Sequence, residues 1–323
     1  MIMLRGHLST MYPTLFRRVP PVPWHRERLE LPDGDFLDLD WFRKGHPRLV
    51  ILSHGLEGHA NAHYIRGMAL ALERRGYDAL AWNCRGCSGE PNRLLRSYHS
   101  GVSDDLSAVV NHAAGSYPDI SLVGFSLGGN ITLKYLGELG ATGKGDPSPP
   151  IPPLRGAVTF SVPCDLASSS LQLGRRQNRI YMKRFMTGLK LKIRQKAAQF
   201  PGQIDLTDLD KVKTFADFDN RYTAPLNGFL NATDYWQKAS SKPFLKHIHI
   251  PTLLINALND PFLAPPCFPS EEADRNQNFT LESPPSGGHV GFYAPGCEYS
   301  SETRAAQFLE NPPSGPAREN ERF

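Results

Sequence analysis

Short apolar runs alternate with helically spaced segments along most of this chain. Arg48 to Ser53, Tyr77 to Trp82, Ile120 to Val123, Gly156 to Val162 and Pro251 to Asn256 are apolar runs of strand length bounded by polar residues, the pattern of buried strands. Ahead of all of them, Arg28 to Phe42 gives two alternating runs joined by Pro32-Asp33-Gly34, a β-hairpin signal. Tyr64 to Arg75 places Ile65, Met68, Leu70 and Leu72 at helical spacing and stops at Gly76. Val102 to Ala114 reads as a further helix, and Phe279-Thr280-Leu281 as a last short strand. Strands that alternate with helices require crossover connections. The pattern therefore predicts an α/β fold with a mainly parallel sheet.

The rhythm lapses in four places. Residues 1–27, rich in Arg and Pro, read as an irregular leader, and Gly140 to Pro153 as a surface connection. Residues 167–246 are helical and irregular between two strands. An insertion after a strand's C-terminal end stands over the edge where such sheets bind ligands, so this one reads as a lid on a core made of 28–166 and 247–310. Residues 311–323 read as a disordered tail.

Composition narrows the function classes. The chain has 323 residues, enough for one α/β domain with an excursion, and its net charge of +4 is too small to imply a nucleic-acid partner. Five cysteines, an odd count in a long chain, argue against a disulfide framework. No stretch reaches the roughly 18 apolar residues of a spanning helix, and the first residues carry no signal-peptide core. The expectation is a cytoplasmic protein without a transmembrane segment.

The candidate chemistry centres on Asp119 to Leu133, DISLVGFSLGGNITL. A buried strand, a Gly124-Phe125-Ser126-Leu127-Gly128 turn and a helix form the setting of a nucleophile elbow. The turn strains the serine backbone and leaves no room for a Cβ at either glycine. A serine hydroxyl needs a base and a group that orients the base. Asp260 follows the strand Thr252–Asn256, and His289 lies in a glycine-flanked loop beyond the next strand, so the order Ser, Asp, His and the strand ends both fit. Asp165 is the reserve acid. The oxyanion hole needs two backbone donors, which fall on the Leu127 amide and, after the early strand, on the Leu56 amide. His54 is expected to brace that loop.

Two other signals are read structurally. Cys84-x-x-Cys87 has no second pair at zinc-site spacing. Arg175, Arg176, Arg179, Lys183, Arg184, Lys190, Lys192, Arg194 and Lys196 form an acid-free basic run in the insertion. It reads either as peripheral lipid contact or as helices paired with Asp205, Asp208, Asp210, Asp217 and Asp219; the second is the expectation adopted.

SHGLEG (Ser53–Gly58), NCRGCSGEPNRLLRSYHSG (Asn83–Gly101), GFSLGGN (Gly124–Asn130), FDNRYTAPLNGF (Phe218–Phe229), NDPF (Asn259–Phe262) and GGHVGF (Gly287–Phe292) together resemble the YheT-like branch of the α/β hydrolases. The resemblance runs from about Gly6 to Ala306. It implies a mostly parallel eight-stranded sheet with helices on both faces, a helical lid, and a triad on Ser126, Asp260 and His289. The family includes carboxylesterases, acylglycerol and phospholipid lipases, and ester synthases that pass the acyl group to an alcohol. Many eukaryotic relatives carry an N-terminal membrane anchor, from which this chain departs. The expectation is a serine hydrolase cleaving short or medium-chain acyl esters or acylglycerols, with no cofactor or metal. Acyl transfer by the same triad and a non-catalytic interaction protein on a hydrolase fold are the alternatives. The Arg85–Gly101 motif, which the triad leaves unexplained, is expected to brace the elbow.

Overall fold

The computed structural model describes residues 2–142, 153–296 and 298–312. Eight strands form one sheet: β1 (His25–Glu30), β2 (Phe36–Phe42), β3 (Arg48–Ser53), β4 (Tyr77–Asn83), β5 (Asp119–Phe125), β6 (Leu154–Phe160), β7 (Thr252–Ile255) and β8 (Phe279–Glu282). Their order is β1-β2-β4-β3-β5-β6-β7-β8. The β1–β2 hairpin and the β2–β4 pair are antiparallel, and every other pair is parallel.

Period-two alternation divides the central strands between two cores. Leu49 and Ile51 of β3 face one cluster, which holds Leu106 and Val109 of helix α3 (Ser103–Ala114), Val102 just ahead of that helix, and Ile131 of helix α4 (Leu127–Thr142). Val50 and Leu52 face the other, with Ile65, Met68 and Leu72 of helix α2 (His63–Glu73) and Phe308 of the helix Ser300–Glu310. Both faces are covered, as a parallel sheet requires. Helix α2 ends at Glu73, and in the turn that follows Gly76 has φ +81°, where a Cβ would be strained.

The strand order reverses at β3, whose next strand, β4, pairs on one side and β5 on the other. Ligands bind at such a switch point, outside the C-terminal strand ends. Here β3 and β5 pair in register from Arg48↔Asp119 to Ser53↔Gly124. The loop after β3 and the turn after β5 therefore leave the sheet side by side.

Two expectations are corrected. The leader is not wholly irregular, because Ile2–Phe16 is a helix, α1. Its inward face is Gly6, Thr10 and Pro13, while Leu8, Met11, Leu15 and Phe16 face solvent. With small and polar residues inside and apolar ones outside, the usual amphipathic signal is inverted. Helix α4 also continues through Gly140 to Thr142, into the segment expected as a surface connection. The rest of that connection, 143–152, lies outside the described residues, as does the expected tail beyond residue 312. Between β6 and β7 the chain leaves the sheet as α5 (Leu166–Leu173), α6 (Arg179–Gln199) and shorter helices.

Candidate active site

Ser126 has φ +53° at the turn between β5 and α4. The glycines explain why the chain tolerates this. A Cβ on Gly124 would lie 2.7 Å from the Gly128 carbonyl oxygen, and one on Gly128 would lie 2.4 Å from the Ser53 oxygen. Only glycine lets β3, β5 and α4 approach so closely. The Ser126 amide donates to Phe160 O at 2.8 Å, pinning the strained residue to β6.

The three predicted residues meet. His289 Nε2 lies 2.9 Å from Ser126 Oγ, and His289 Nδ1 lies 2.8 Å from Asp260 Oδ2. The Asp260 side chain is fully buried, and its Oδ1 accepts the Phe262 amide at 2.8 Å. A buried acceptor on Nδ1 fixes the tautomer in which Nε2 faces the serine. Asp165 is elsewhere: its carboxylate caps α5 by accepting the Ser168 amide at 2.8 Å.

The loop after β3 borders the serine, for a Cβ on Gly55 would stand 3.3 Å from Ser126 Cβ. Among the described residues, neither the Leu56 amide nor the Leu127 amide donates a hydrogen bond. Leu127 is also the first residue of α4, where the helix dipole favours negative charge. His54 is a brace: its Nε2 accepts the Cys84 amide at 3.1 Å, so Nδ1 carries the proton and donates to Gly55 O at 2.7 Å. Burial pushes its pKa down to about 4, which keeps it neutral.

Several contacts had no readable signal in the sequence. Asn259 Oδ1 accepts the amides of Gly287 and Gly288 at 3.0 and 2.9 Å, tying the acid's neighbour to the histidine loop. Thr10 of α1 accepts the His289 amide at 2.9 Å. Tyr64 accepts the Gly55 amide at 3.0 Å. Glu57, at φ +55°, donates its amide to the Tyr98 hydroxyl at 3.1 Å, and that hydroxyl donates back to the Glu57 carboxylate. Lys192 of α6 pairs with the same carboxylate at 2.9 Å.

The Arg85–Gly101 motif does more than brace the elbow. Asn130 of α4 donates to Ser100 O at 2.8 Å, which is the elbow contact. Arg85 itself is buried against Asp105 of α3 (2.7 Å) and Asp35 of the hairpin turn (3.0 Å). Lys196 of α6 donates to Asn92 Oδ1 and Leu94 O at 2.6 Å each, so the motif also seats the insertion. Burial lowers the Lys196 pKa to about 8. Cys84 and Cys87 are buried free thiols, both with pKa raised by burial. Of the charge pairings expected for the basic run, Arg194–Asp210 at 2.7 Å forms. Asp217 instead caps a short helix, and Asp219 is buried beneath Thr223 and Trp236.

Ser126, Leu56, Leu127 and His289 open on a cavity of about 160 Å³. Leu173, Phe185, Leu189 and Phe218 of the insertion form much of its wall, together with Leu166 and Phe262. Most of the wall's area is apolar, and its polar points include Arg85, His99, Lys192, Lys196 and Asp219.

The profile of the alpha/beta hydrolase family matches residues 49–302. The chain is 37% identical to a putative esterase, YheT, of Escherichia coli over 88% of its own length and 84% of that protein. It is 33% identical to phospholipase ABHD3 of Mus musculus, over 84% of this chain and 67% of that one. In structure it is similar to the Pyrococcus furiosus esterase Pf2001, with a TM-score of 0.59, 17% identity, and 91% and 97% of the two chains covered. Matched along most of its length and carrying the mostly parallel sheet, this chain belongs to the α/β hydrolase family, in its YheT-like branch.

Proposed function

We propose that the protein hydrolyses carboxylic esters through an acyl-enzyme on Ser126. The observation that carries this reading is the hydrogen-bond chain Ser126–His289–Asp260, at 2.9 and 2.8 Å, opening on an apolar cavity. Relatives named esterase, phospholipase and monoacylglycerol lipase support ester hydrolysis as the reaction class.

Ser126 Oγ attacks the ester carbonyl carbon as His289 Nε2 takes its proton. Asp260 holds Nδ1–H and stabilises the imidazolium. The carbonyl oxygen becomes an oxyanion bound by the Leu56 and Leu127 amides, each worth ~10²–10³ in turnover. Collapse breaks the bond to the alkoxy oxygen, which leaves as alcohol with the proton from His289. Water then attacks the acyl-enzyme by the same steps in reverse roles, releasing the acid and restoring Ser126. The apolar wall supplied by the insertion, acting as a lid, suits an aliphatic acyl group and excludes water from the collapse step.

Intact-mass labelling with a fluorophosphonate tests this. One stoichiometric adduct on the native chain is expected, absent in Ser126→Ala and much slowed in His289→Ala. A folded native protein that takes no label and turns over no acyl ester would refute it.

A further inference from the structure

Apolar side chains exposed singly on a surface need no explanation, but a contiguous set does. Leu8, Met11, Tyr12, Leu15 and Phe16 are 61%, 37%, 45%, 64% and 65% exposed. Their spacing puts them on one face of α1, opposite Gly6, Thr10 and Pro13, which pack inward.

The fold sets this ridge beside the start of α6. His7 stacks on Tyr181 with ring centroids 5.6 Å apart, and His7 Nδ1 is hydrogen-bonded to the tyrosine hydroxyl at 3.2 Å. Next to Tyr181, Ile180 is 71% exposed. Arg175, Arg176, Arg179, Lys183 and Arg184, in the same stretch of chain, are exposed. None of the five forms an ion pair among the described residues, whereas Lys192 and Arg194 further along the same helix do. Residues 1–26 and 166–204 contain no Asp or Glu at all. Two acid-free segments far apart in sequence thus meet at His7 and Tyr181, one carrying an exposed apolar ridge and the other exposed cations without ion pairs among the described residues.

We propose that this surface docks the protein peripherally on an anionic phospholipid bilayer. The α1 ridge enters the headgroup boundary, and Arg175, Arg176, Arg179, Lys183 and Arg184 lie over the anionic headgroups. Charge selects this occupant over a second copy of the chain, because a two-fold contact through this face would bring the same cations together. The opposite, inner side of α1 holds the His289 amide through Thr10, so one helix separates the docked face from the triad. The proposal does not depend on the ester-hydrolase reading.

Sedimentation of the full chain with vesicles tests it. Vesicles of phosphatidylcholine containing about one-third phosphatidylglycerol should bind at least about tenfold more protein than phosphatidylcholine alone, and less as salt rises. Leu15→Ser/Phe16→Ser and, separately, Arg175→Glu/Arg179→Glu/Lys183→Glu should each lower binding by about tenfold or more. Both variants should hydrolyse a water-soluble short-chain ester at the native rate, and Ser126→Ala should bind vesicles as the native chain does. Equal binding to both vesicle types, or unchanged binding in either surface variant, would overturn the proposal. So would self-association lost in the Leu15→Ser/Phe16→Ser variant without vesicle binding, which would make a second copy the occupant. Native vesicle binding by a chain that cleaves no ester would instead refute the catalytic reading alone.

Discussion

The backbone amide of His289 donates to the hydroxyl of Thr10 at 2.9 Å, across 279 residues of sequence. Thr10 in turn donates to Gly6 O at 2.7 Å. Steric fit locks the same contact. A Cβ on Gly6 would lie 2.0 Å from Asn259 O, and one on Gly291 would lie 2.2 Å from Ser9 O. Helix α1 therefore clasps both the loop that carries Asp260 and the loop that carries His289.

Thr10→Val keeps the shape but removes the acceptor, leaving a part-buried amide unpaired at a cost of about 1–3 kcal/mol. The expected outcome is a lower denaturant midpoint and a fall in kcat of about tenfold, since small misplacements of catalytic groups cost that much or more. Thr10→Ser should restore both. Native kcat in the valine variant would show that α1 is mere packing.

Tyr98 holds the Glu57 amide and carboxylate together, next to the proposed oxyanion donor Leu56. Tyr98→Phe should lower kcat by about 10- to 100-fold with KM little changed, because the loss falls on the transition state. Affinity for a trifluoromethyl ketone, whose adduct carries the oxyanion, should drop by the same factor. A change confined to KM would place Tyr98 in substrate binding instead.

Arg85 is buried against the equally buried Asp105 and Asp35. Arg85→Ala strands those carboxylates and should destabilise the fold by about 3–5 kcal/mol, the usual cost of breaking a buried pair from one side. Urea unfolding measures it. A variant as stable as the native chain would remove the motif's role in joining the hairpin to α3.

Burial raises the Asp219 pKa from 3.8 to about 6, against the opposing hydrogen bonds from Thr223 and Trp236. Between those values the folded protein holds a proton that the unfolded chain has released. Stability should therefore decline as pH rises from about 4 to 6 and level off above, by about 3 kcal/mol in all. Asp219→Asn should flatten the decline. Unfolding free energies measured across that window decide it; a slope that survives in the variant would assign it to another group.

Much of this was legible from local pattern. The strands, the hairpin turn, Gly76 and the elbow rest on period, apolar run length and glycine, all of which act between near neighbours in sequence. Ser126, Asp260 and His289 could be named because strand order and chain order together leave few candidates. Helix α1 was not legible, since its buried face is Gly6, Thr10 and Pro13, residues with low helix propensity and no apolar period. The basic run misled for a related reason. Charge balance depends on which acids come near, and here Asp217 and Asp219 turn to their own helices and neighbours.

By itself, then, the sequence determined the α/β architecture, the strained serine turn and the identity of the three side chains that meet there, because short-range sterics and burial period dictate them. Tertiary structure alone decided what holds those side chains in place: Thr10 on His289, Asn259 on the glycine loop, Tyr98 and Lys192 on Glu57. Each is a polar contact between segments distant in the chain. A hydrogen bond needs its partners within about 3 Å and aligned, and no local pattern in the chain records which distant residues will meet at that range.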